Sequence, residues 1–506
     1  MWRAQFEPNL TRMTQTTPFH RPESQPLRFW RNGQLVSLSN VPPGQTLLNL
    51  LRETLRSCDT KEGCAAGDCG ACTVVIGRPG PDGLTHEAVN SCIRPAHAID
   101  GLALWTAADL AQPNGQLHPV QEAMVQAHGS QCGFCTPGFV MSLFALYQRT
   151  TALGHTPNDD DIHEALSGNL CRCTGYRPIV QAARQLRPQD GPGWRIDTEA
   201  IRACLQALPA RDNAHAHYAL PQTLDELLQL RSARPGARLI AGATDAGLEL
   251  TQQLKSWDSV IDLTRVPELR RVESHVHHIA IGAAVSLQQA FDALSADRPN
   301  VHPFGARFAG WPVRQSGTLA GNIANGSPIG DSMPLLLALG ASLVLMRWHD
   351  GVRAEREVLL SDFYTGYRKT LLAPDEVLAF VQVPRPVSGE WLGVYKVAKR
   401  QEDDISAVCL ALHMVVRSGH LIGVRIGVGG VAATPVRALK TEAVLEGQED
   451  TPQVWAKAMQ TLASEFNPLS DLRASSEYRR QVLANLLERA WIERRGHHFA
   501  HLEDVQ

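Results

Sequence analysis

No apolar stretch in the 506 residues is long enough to span a bilayer. The longest nearly unbroken run, Leu335 to Met346, falls well short of the roughly 20 residues a spanning helix needs, and Gly340 and Ser342 interrupt it. Positive charge is not in excess either. Lys+Arg 48 against Asp+Glu 51 leaves a formal net charge of -3, so nothing suggests a nucleic-acid binder. The opening MWRAQFEPNL has no continuous apolar core followed by a small-residue cleavage site, so it does not read as a secretory signal. A cytoplasmic protein with reduced thiols and no membrane contact is expected. Aromatics are scarce at 6%, but 44% hydrophobic and 20% charged residues are ordinary for a soluble chain. The length suggests roughly three to five domains. There is no internal repeat and no low-complexity tract.

What is present is cysteine, in one region. Eight of the eleven (Cys64, Cys69, Cys72, Cys92, Cys132, Cys135, Cys171 and Cys173) lie within residues 64–173. Clustered thiols in a large chain without a signal favour metal ligation over a disulfide framework. Cys64-x4-Cys69-x2-Cys72, with Cys92 after nineteen residues, has the plant-type [2Fe–2S] spacing. Three thiolates from one tight loop must point inward, and Gly63, Gly67 and Gly70 let the backbone turn with positive φ and bring amides close to the sulfurs. Zinc is the alternative, although zinc ribbons more often use two C-x2-C pairs. Cys132-x2-Cys135 alone leaves a redox pair, zinc or no site open. With Cys171-x-Cys173 it makes a second set of four, each pair at a helix end.

Periodicity and turn chemistry divide the chain. A polar tail covers 1–24, and Met13 could be the true start. Residues 25–105 read as a small α+β unit: a hairpin of Leu27–Trp30 and Gln34–Leu38 about Asn32-Gly33, a helix capped by Thr46, and a buried strand at Thr73–Ile76. Residues 106–188 read as four short helices: Val120–Ala127, Phe139–Tyr147 opened by Thr136 as N-cap with Pro137 at the first helical position, one from Asn158/Asp159 to Leu166, and Arg177–Leu186. A linker with Pro, Gly and His fills 189–217, an α/β unit runs over 218–390, and strands followed by helices fill 391–506. Gly427-x-Gly429-x-x-Ala432 matches a dinucleotide fingerprint, but Pro435 and the weak following helix argue against one. Gly242 with Thr244 and the run Ser316–Gly326 can instead bring backbone amides to a pyrophosphate.

The strings GCAAGDCGACTVVI, QCGFCTPGFVMS and GNLCRCTGYRPI over residues 63–179 resemble the two iron–sulfur domains of the xanthine dehydrogenase/aldehyde oxidase family. LIAGATDAGLEL, SGTLAGNIANGSPIGD, FYTGYRKTLLAPDEVL and KRQEDDI resemble stretches of that family's FAD domain. About nine-tenths of the chain is covered. The resemblance implies an α+β multidomain protein: a plant-type [2Fe–2S] ferredoxin β-grasp domain, a four-helix [2Fe–2S] domain, and a two-part α/β FAD-binding domain of the molybdenum hydroxylase flavoprotein type with a C-terminal α+β subdomain. The eight clustered cysteines would hold two [2Fe–2S] clusters. Leu239, Ile240, Ala241, Gly242, Ala243, Thr244, Asp245 and Ala246, with Thr318, Leu319, Ala320, Gly321 and Asn322, would line the flavin's diphosphate and ribityl chain. Asn325 would add a further flavin contact. Phe308 would lie against the isoalloxazine, Asp331 and Leu378 would touch the adenine side or ring edge, and Lys396 would contact a polar flavin atom. Ala243 stands where many members have Asn, and Asn325 where they often have Thr.

The same resemblance implies a function. The family's molybdenum domain would follow the flavin part, yet the sequence ends at Gln506. The expectation is the electron-transfer subunit of a split molybdenum hydroxylase, xanthine-oxidising before aldehyde-oxidising, carrying no catalytic acid, base or nucleophile of its own. A molybdopterin-binding large subunit would be its partner, in a heterotetramer of two small and two large chains. Electrons would run from molybdenum through the helical-domain cluster, the plant-type cluster and FAD to NAD. A non-catalytic metal-binding assembly protein, colourless and with zinc in both cysteine sets, is the reading from another class.

Overall fold

Asn32 and Gly33 both adopt positive φ, 49° and 78°, the turn that matches strand twist. They close the hairpin of β1 (Leu27–Arg31) and β2 (Gln34–Leu38) in the register Leu27↔Leu38. The computed structural model describes residues 25–80, 83–187 and 196–496. The expected tail, Met13 and most of the Pro/Gly link lie outside the described residues. β3 (Thr73–Gly80), β4 (Gly83–Asn90) and β5 (Ala103–Trp105) complete a five-stranded sheet in the order β2-β1-β5-β3-β4. Thr46 Oγ1 accepts from the Asn49 amide at 3.2 Å and starts the helical stretch through Thr54 that covers this sheet. Leu27, Phe29, Leu47, Leu50, Val74 and Ile76 are fully buried between them.

Four helices follow: α1 (Pro119–Gln126), α2 (Thr136–Leu153), α3 (Asp159–Leu166) and α4 (Arg177–Gln185). Asn158 caps α3 as its sequence suggests, accepting from the Asp161 amide at 2.8 Å. Thr136 does not cap α2. Cys135 occupies that position in αR geometry, and Thr136 is the first helical residue, its hydroxyl turned to Ser130.

From Tyr218 on, the described residues form three larger sheets and a two-stranded one of Tyr364–Gly366 and Lys369–Thr370. The first is β6 (Tyr218–Ala219), β7 (Arg238–Ile240) and β8 (Val260–Asp262), parallel in the order β6-β8-β7. The second joins β9 (Val272–Ser274), β10 (His278–Gly282), β11 (Ser342–His349), β12 (Val352–Leu359) and the strand Val377–Pro384 as an antiparallel sheet. The third is Glu390–Val397, Val408–Arg417, His420–Gly429 and Val436–Arg437, backed by the helices Pro452–Glu465 and Ser476–Arg494 with Trp455 fully buried. The fingerprint-like glycines are packing positions. A Cβ on Gly427 would lie 2.0 Å from the Pro334 carbonyl oxygen, and a short strand, not a helix, follows.

The units mate backbone to backbone. A Cβ on Gly70 would sit 2.1 Å from the Gly168 oxygen, one on Gly310 2.5 Å from Gly168 Cα, and one on Gly247 2.1 Å from the Ile93 oxygen. At these points the three units touch pairwise main chain to main chain, with the Asn169 and Pro312 side chains packed alongside. Around these points the seam is polar. The Tyr218 hydroxyl donates to Asp262 at 2.7 Å, Arg211 pairs with Asp100 at 3.1 Å, and His97 stacks on Tyr218 at 4.9 Å. Among the described residues no helix is long and apolar enough to cross a membrane.

Candidate functional site

The loop of residues 63–72 folds around sulfur. Cys64 Sγ accepts backbone N–H groups from Ala66 (3.4 Å), Asp68 (3.4 Å) and Cys69 (3.3 Å). Cys64 lies beside Cys69 and Cys92, and Cys72 beside Cys92. Cys72 and Cys92 are buried, while Cys64 and Cys69 are half-buried. Amides aimed at a sulfur stabilise thiolate charge. Gly67 and Gly70 have the expected positive φ, but Gly63 does not: a Cβ there would lie 2.7 Å from Cys69 Sγ, so this glycine makes room for sulfur, while Ala65 at 51° carries backbone strain the glycines avoid.

The second quartet gathers two segments. Cys132 Sγ is 3.6 Å from Cys173 Sγ, and Cys135 lies beside Cys171. The Cys171 amide donates to the Tyr176 hydroxyl at 3.0 Å. Cys132 and Cys173 are exposed, Cys171 buried. Burial, then Cys171, push the Cys135 thiol up to about 12, so a thiolate here needs a compensating cation, which a metal supplies. Among the described residues no group of three or more Cys, His, Asp or Glu side chains is arranged to hold a single metal ion. A single zinc requires four donors around one centre, whereas a two-iron cluster takes two thiolates at each iron. The sulfurs of the second quartet, gathered as Cys132 with Cys173 and Cys135 with Cys171, fit the second arrangement.

One hydrogen bond joins the quartets: the Leu170 amide donates to the Cys69 carbonyl at 3.0 Å. Asn169 reinforces it, its amide donating to the Gly70 oxygen at 3.1 Å while its own oxygen accepts from Ser142 at 2.6 Å. The Phe134 ring lies over Gly63.

The segments that carry the first quartet, though none of its four sulfurs, form part of the wall of a cavity of about 1050 Å³, at the upper end of the size range of small-molecule sites. Ala66, Asp68 and Ile93 face it from the ferredoxin-like unit. From the flavin unit come Leu239, Ile240, Ala241, Ala243, Thr244, Asp245 and Ala246, then Thr318, Ala320, Gly321, Asn322 and Asn325, with Phe308, Asp331, Leu378 and Lys396. Two expected residues do not reach it. Leu319 is 1% exposed and turns into the core of this unit, since it lies on the inner face of the helix Leu319–Asn325. Gly242, at φ 89°, faces the other way, where a Cβ would stand 1.8 Å from the Ser316 oxygen. Its part is to let two loops of the cavity wall close on each other. Phe308 lines the cavity and also packs on Phe291 at 5.5 Å. Lys396 Nζ donates to Asp331 (2.8 Å) and to the Arg307 carbonyl (3.0 Å), and Ser406 donates to the other Asp331 oxygen. Most of the hydrogen-bonding capacity of this pair is therefore internal.

The acidic run after Lys399 lies at the cavity rim, where Lys399, Arg400, Asp403 and Asp404 line it. Burial first, then the facing Asp68, push the Asp403 carboxyl up to about 7. Sequence reasoning missed the wall donated by Ala66, Asp68 and Ile93 and the rim residue Arg473, which is 3.6 Å from Asp404. Asp68 lies inside the cysteine loop, but only the docking of two domains turns it toward a cavity.

The site's parts match known families in the same order. Residues 31–96 match the 2Fe-2S iron-sulfur cluster binding domain, 106–184 the [2Fe-2S] binding domain, 213–386 the FAD binding domain in molybdopterin dehydrogenase, and 393–494 the CO dehydrogenase flavoprotein C-terminal domain. A xanthine dehydrogenase of Drosophila pseudoobscura pseudoobscura is 34% identical over 92% of this chain and 39% of its own length. A xanthine dehydrogenase/oxidase of Gallus gallus is 31% identical over 87% of this chain and 38% of its own. The chain thus spans about two-fifths of the length of the curated relatives it matches. Reconstituted CO dehydrogenase from Oligotropha carboxidovorans contains a chain that superposes with a TM-score of 0.51 at 26% identity, over 57% of this chain and 98% of that one.

Proposed function

Because this chain belongs, through its iron–sulfur and FAD-binding domains, to the xanthine dehydrogenase family, we propose that it is the electron-transfer portion of a molybdenum hydroxylase. Cys64, Cys69, Cys72 and Cys92 hold one [2Fe–2S] cluster, and Cys132, Cys135, Cys171 and Cys173 the other. FAD occupies the cavity of about 1050 Å³. When bound, these groups supply carriers that take electrons from molybdenum in a partner, through the helical-domain cluster, the plant-type cluster and the flavin, to NAD.

The residues of this chain set the spacing, the insulation and the charge. The Leu170–Cys69 hydrogen bond fixes the two cysteine loops together. Ala66, Asp68 and Ile93 bring the first loop to the flavin wall. That shared wall is the observation that carries the reading, because a relay needs the loop and the flavin side by side. The backbones of 239–246 and 318–322 cradle the diphosphate and ribityl chain, with Gly242 allowing their close approach. Phe308 and Leu378 cover the ring, and the Lys396–Asp331 pair holds a buried charge at its edge. The exposed faces of Cys132 and Cys173, beside Phe134 and Leu170, form the docking surface for a molybdopterin-binding large subunit.

In this reading the partner oxidises hypoxanthine and xanthine to urate, in a cytoplasmic heterotetramer of two small and two large chains. Likeness to xanthine dehydrogenases over 92% of the chain supports that substrate class. The test is anaerobic purification followed by iron, sulfide and flavin analysis. About four irons and one FAD per chain are expected, with bands near ~450 nm that bleach on reduction. A colourless, zinc-containing product would overturn the proposal.

A further inference from the structure

Where the ferredoxin-like and flavin units meet, a second void of about 50 Å³ lies behind the Gly242–Ser316 wall. Its lining is unusual in charge. Arg78, Arg94 and Arg270 face it, against a single carboxylate, Glu87. Glu87 is already taken, held by two Arg78 nitrogens at 3.1 and 3.3 Å. Arg94 is 4% exposed and Arg78 8%. Both keep buried guanidinium nitrogens without a hydrogen-bond partner, Nε of Arg94 and Nη1 of Arg78. Among the described residues neither Arg94 nor Arg270 has an ion-pair partner within 4.0 Å. Glu87 and Asp262 act on Arg94 without pairing with it, and a buried guanidinium without a contact partner is destabilising, so chemistry at this place favours further negative charge. The remaining lining includes Ser316, whose hydroxyl adds a donor, and Ser286, whose hydroxyl is engaged with Gln289 at 3.3 Å.

We propose that this seam is an anion site that takes one small tetrahedral oxyanion of the phosphate or sulfate class. Forked guanidinium donors match such an oxyanion better than they match a halide. The void has room for one such group. Arg78 and Arg94 come from the ferredoxin-like unit, and Arg270, Ser286 and Ser316 from the flavin unit, so the bound anion bridges the two. It lies behind the Gly242–Ser316 wall, and Thr318 lines both this void and the larger cavity.

The test is the thermal midpoint of the full-length holoprotein while inorganic phosphate replaces chloride at constant ionic strength. The wild-type midpoint rises with phosphate and saturates, by about 2–4 °C. Arg94→Met loses this dependence. It is also more stable than wild type in chloride alone, because an unpaired buried charge is gone, and the two curves cross as phosphate is added. Arg270→Gln, at the exposed rim, keeps the fold and shifts half-saturation to about tenfold higher phosphate. A wild-type midpoint indifferent to phosphate overturns the proposal. So does an unchanged phosphate response in both variants, which would mean a general effect of the salt.

Discussion

The two cysteine quartets are built alike in number and oppositely in setting. The first is enclosed: Cys72 and Cys92 are buried, and the flavin unit lies against the loop through Gly247 and Ile93. The second is open: Cys132 and Cys173 are exposed, with Phe134 and Leu170 at 47% and 44% exposure beside them. An enclosed quartet can exchange electrons only with what the same chain places beside it. An open one can meet another protein. The difference reads as an internal relay and a port, joined by the Leu170–Cys69 hydrogen bond.

The strongest way to break this comparison is to remove one quartet and keep the other. Cys135→Ser lowers iron from about four to about two per chain and stops partner-driven reduction of the flavin, while FAD stays bound. Four irons in that variant, by metal analysis, would mean the quartet is wrongly drawn. Next come two matched glycines. Gly70→Ala puts a Cβ 2.1 Å from the Gly168 oxygen at φ 66°, whereas Gly133→Ala, at φ 83°, meets nothing within 4 Å. Gly70→Ala is expected to lose about 3–4 kcal/mol of stability and Gly133→Ala only about 1–2, from urea unfolding midpoints. Equal losses would remove the contrast between enclosed and open loops. Chelation sharpens it in time: two irons leave on the order of tenfold faster than the other two, since solvent access governs the sites, and a single rate would contradict the assignment.

The smallest effect concerns pH. His118, 3% exposed, accepts the Val120 amide through Nδ1 at the start of α1, and burial holds its pKa down to about 4. The unfolded chain takes up a proton below about 6.5 that the folded one refuses, so stability is full above that pH and falls as pH drops toward 4. His118→Asn keeps a capping acceptor and should flatten the loss between pH 7 and 5 by about 2 kcal/mol, read from urea midpoints across that range.

Much of this was legible in the sequence, for local reasons. The Asn32-Gly33 turn and the Asn158 cap are decided within a few residues of themselves, and they stand where expected. Helix α4 matches its expected span to within a residue. Misreadings occur where tertiary context decides. Thr136 looked like a cap, but the helix starts with it because Cys135 already turns the chain. Leu319 shares a motif with Thr318 and Ala320, yet helical periodicity sends its side chain to the core. The flavin wall from Ala66, Asp68 and Ile93 had no local signature at all, since it exists only once two domains have docked.

The glycine contacts between units carry a consequence for inheritance and engineering. Where Gly70 meets Gly168, Gly168 meets Gly310, and Gly247 meets Ile93, main chain lies against main chain. A foreign iron–sulfur module spliced into this chain would have to bring side-chain-free positions at the same points, whatever cofactor it carried. The three units are modular in their cores but not at their joints, and that would oblige them to be exchanged as a set.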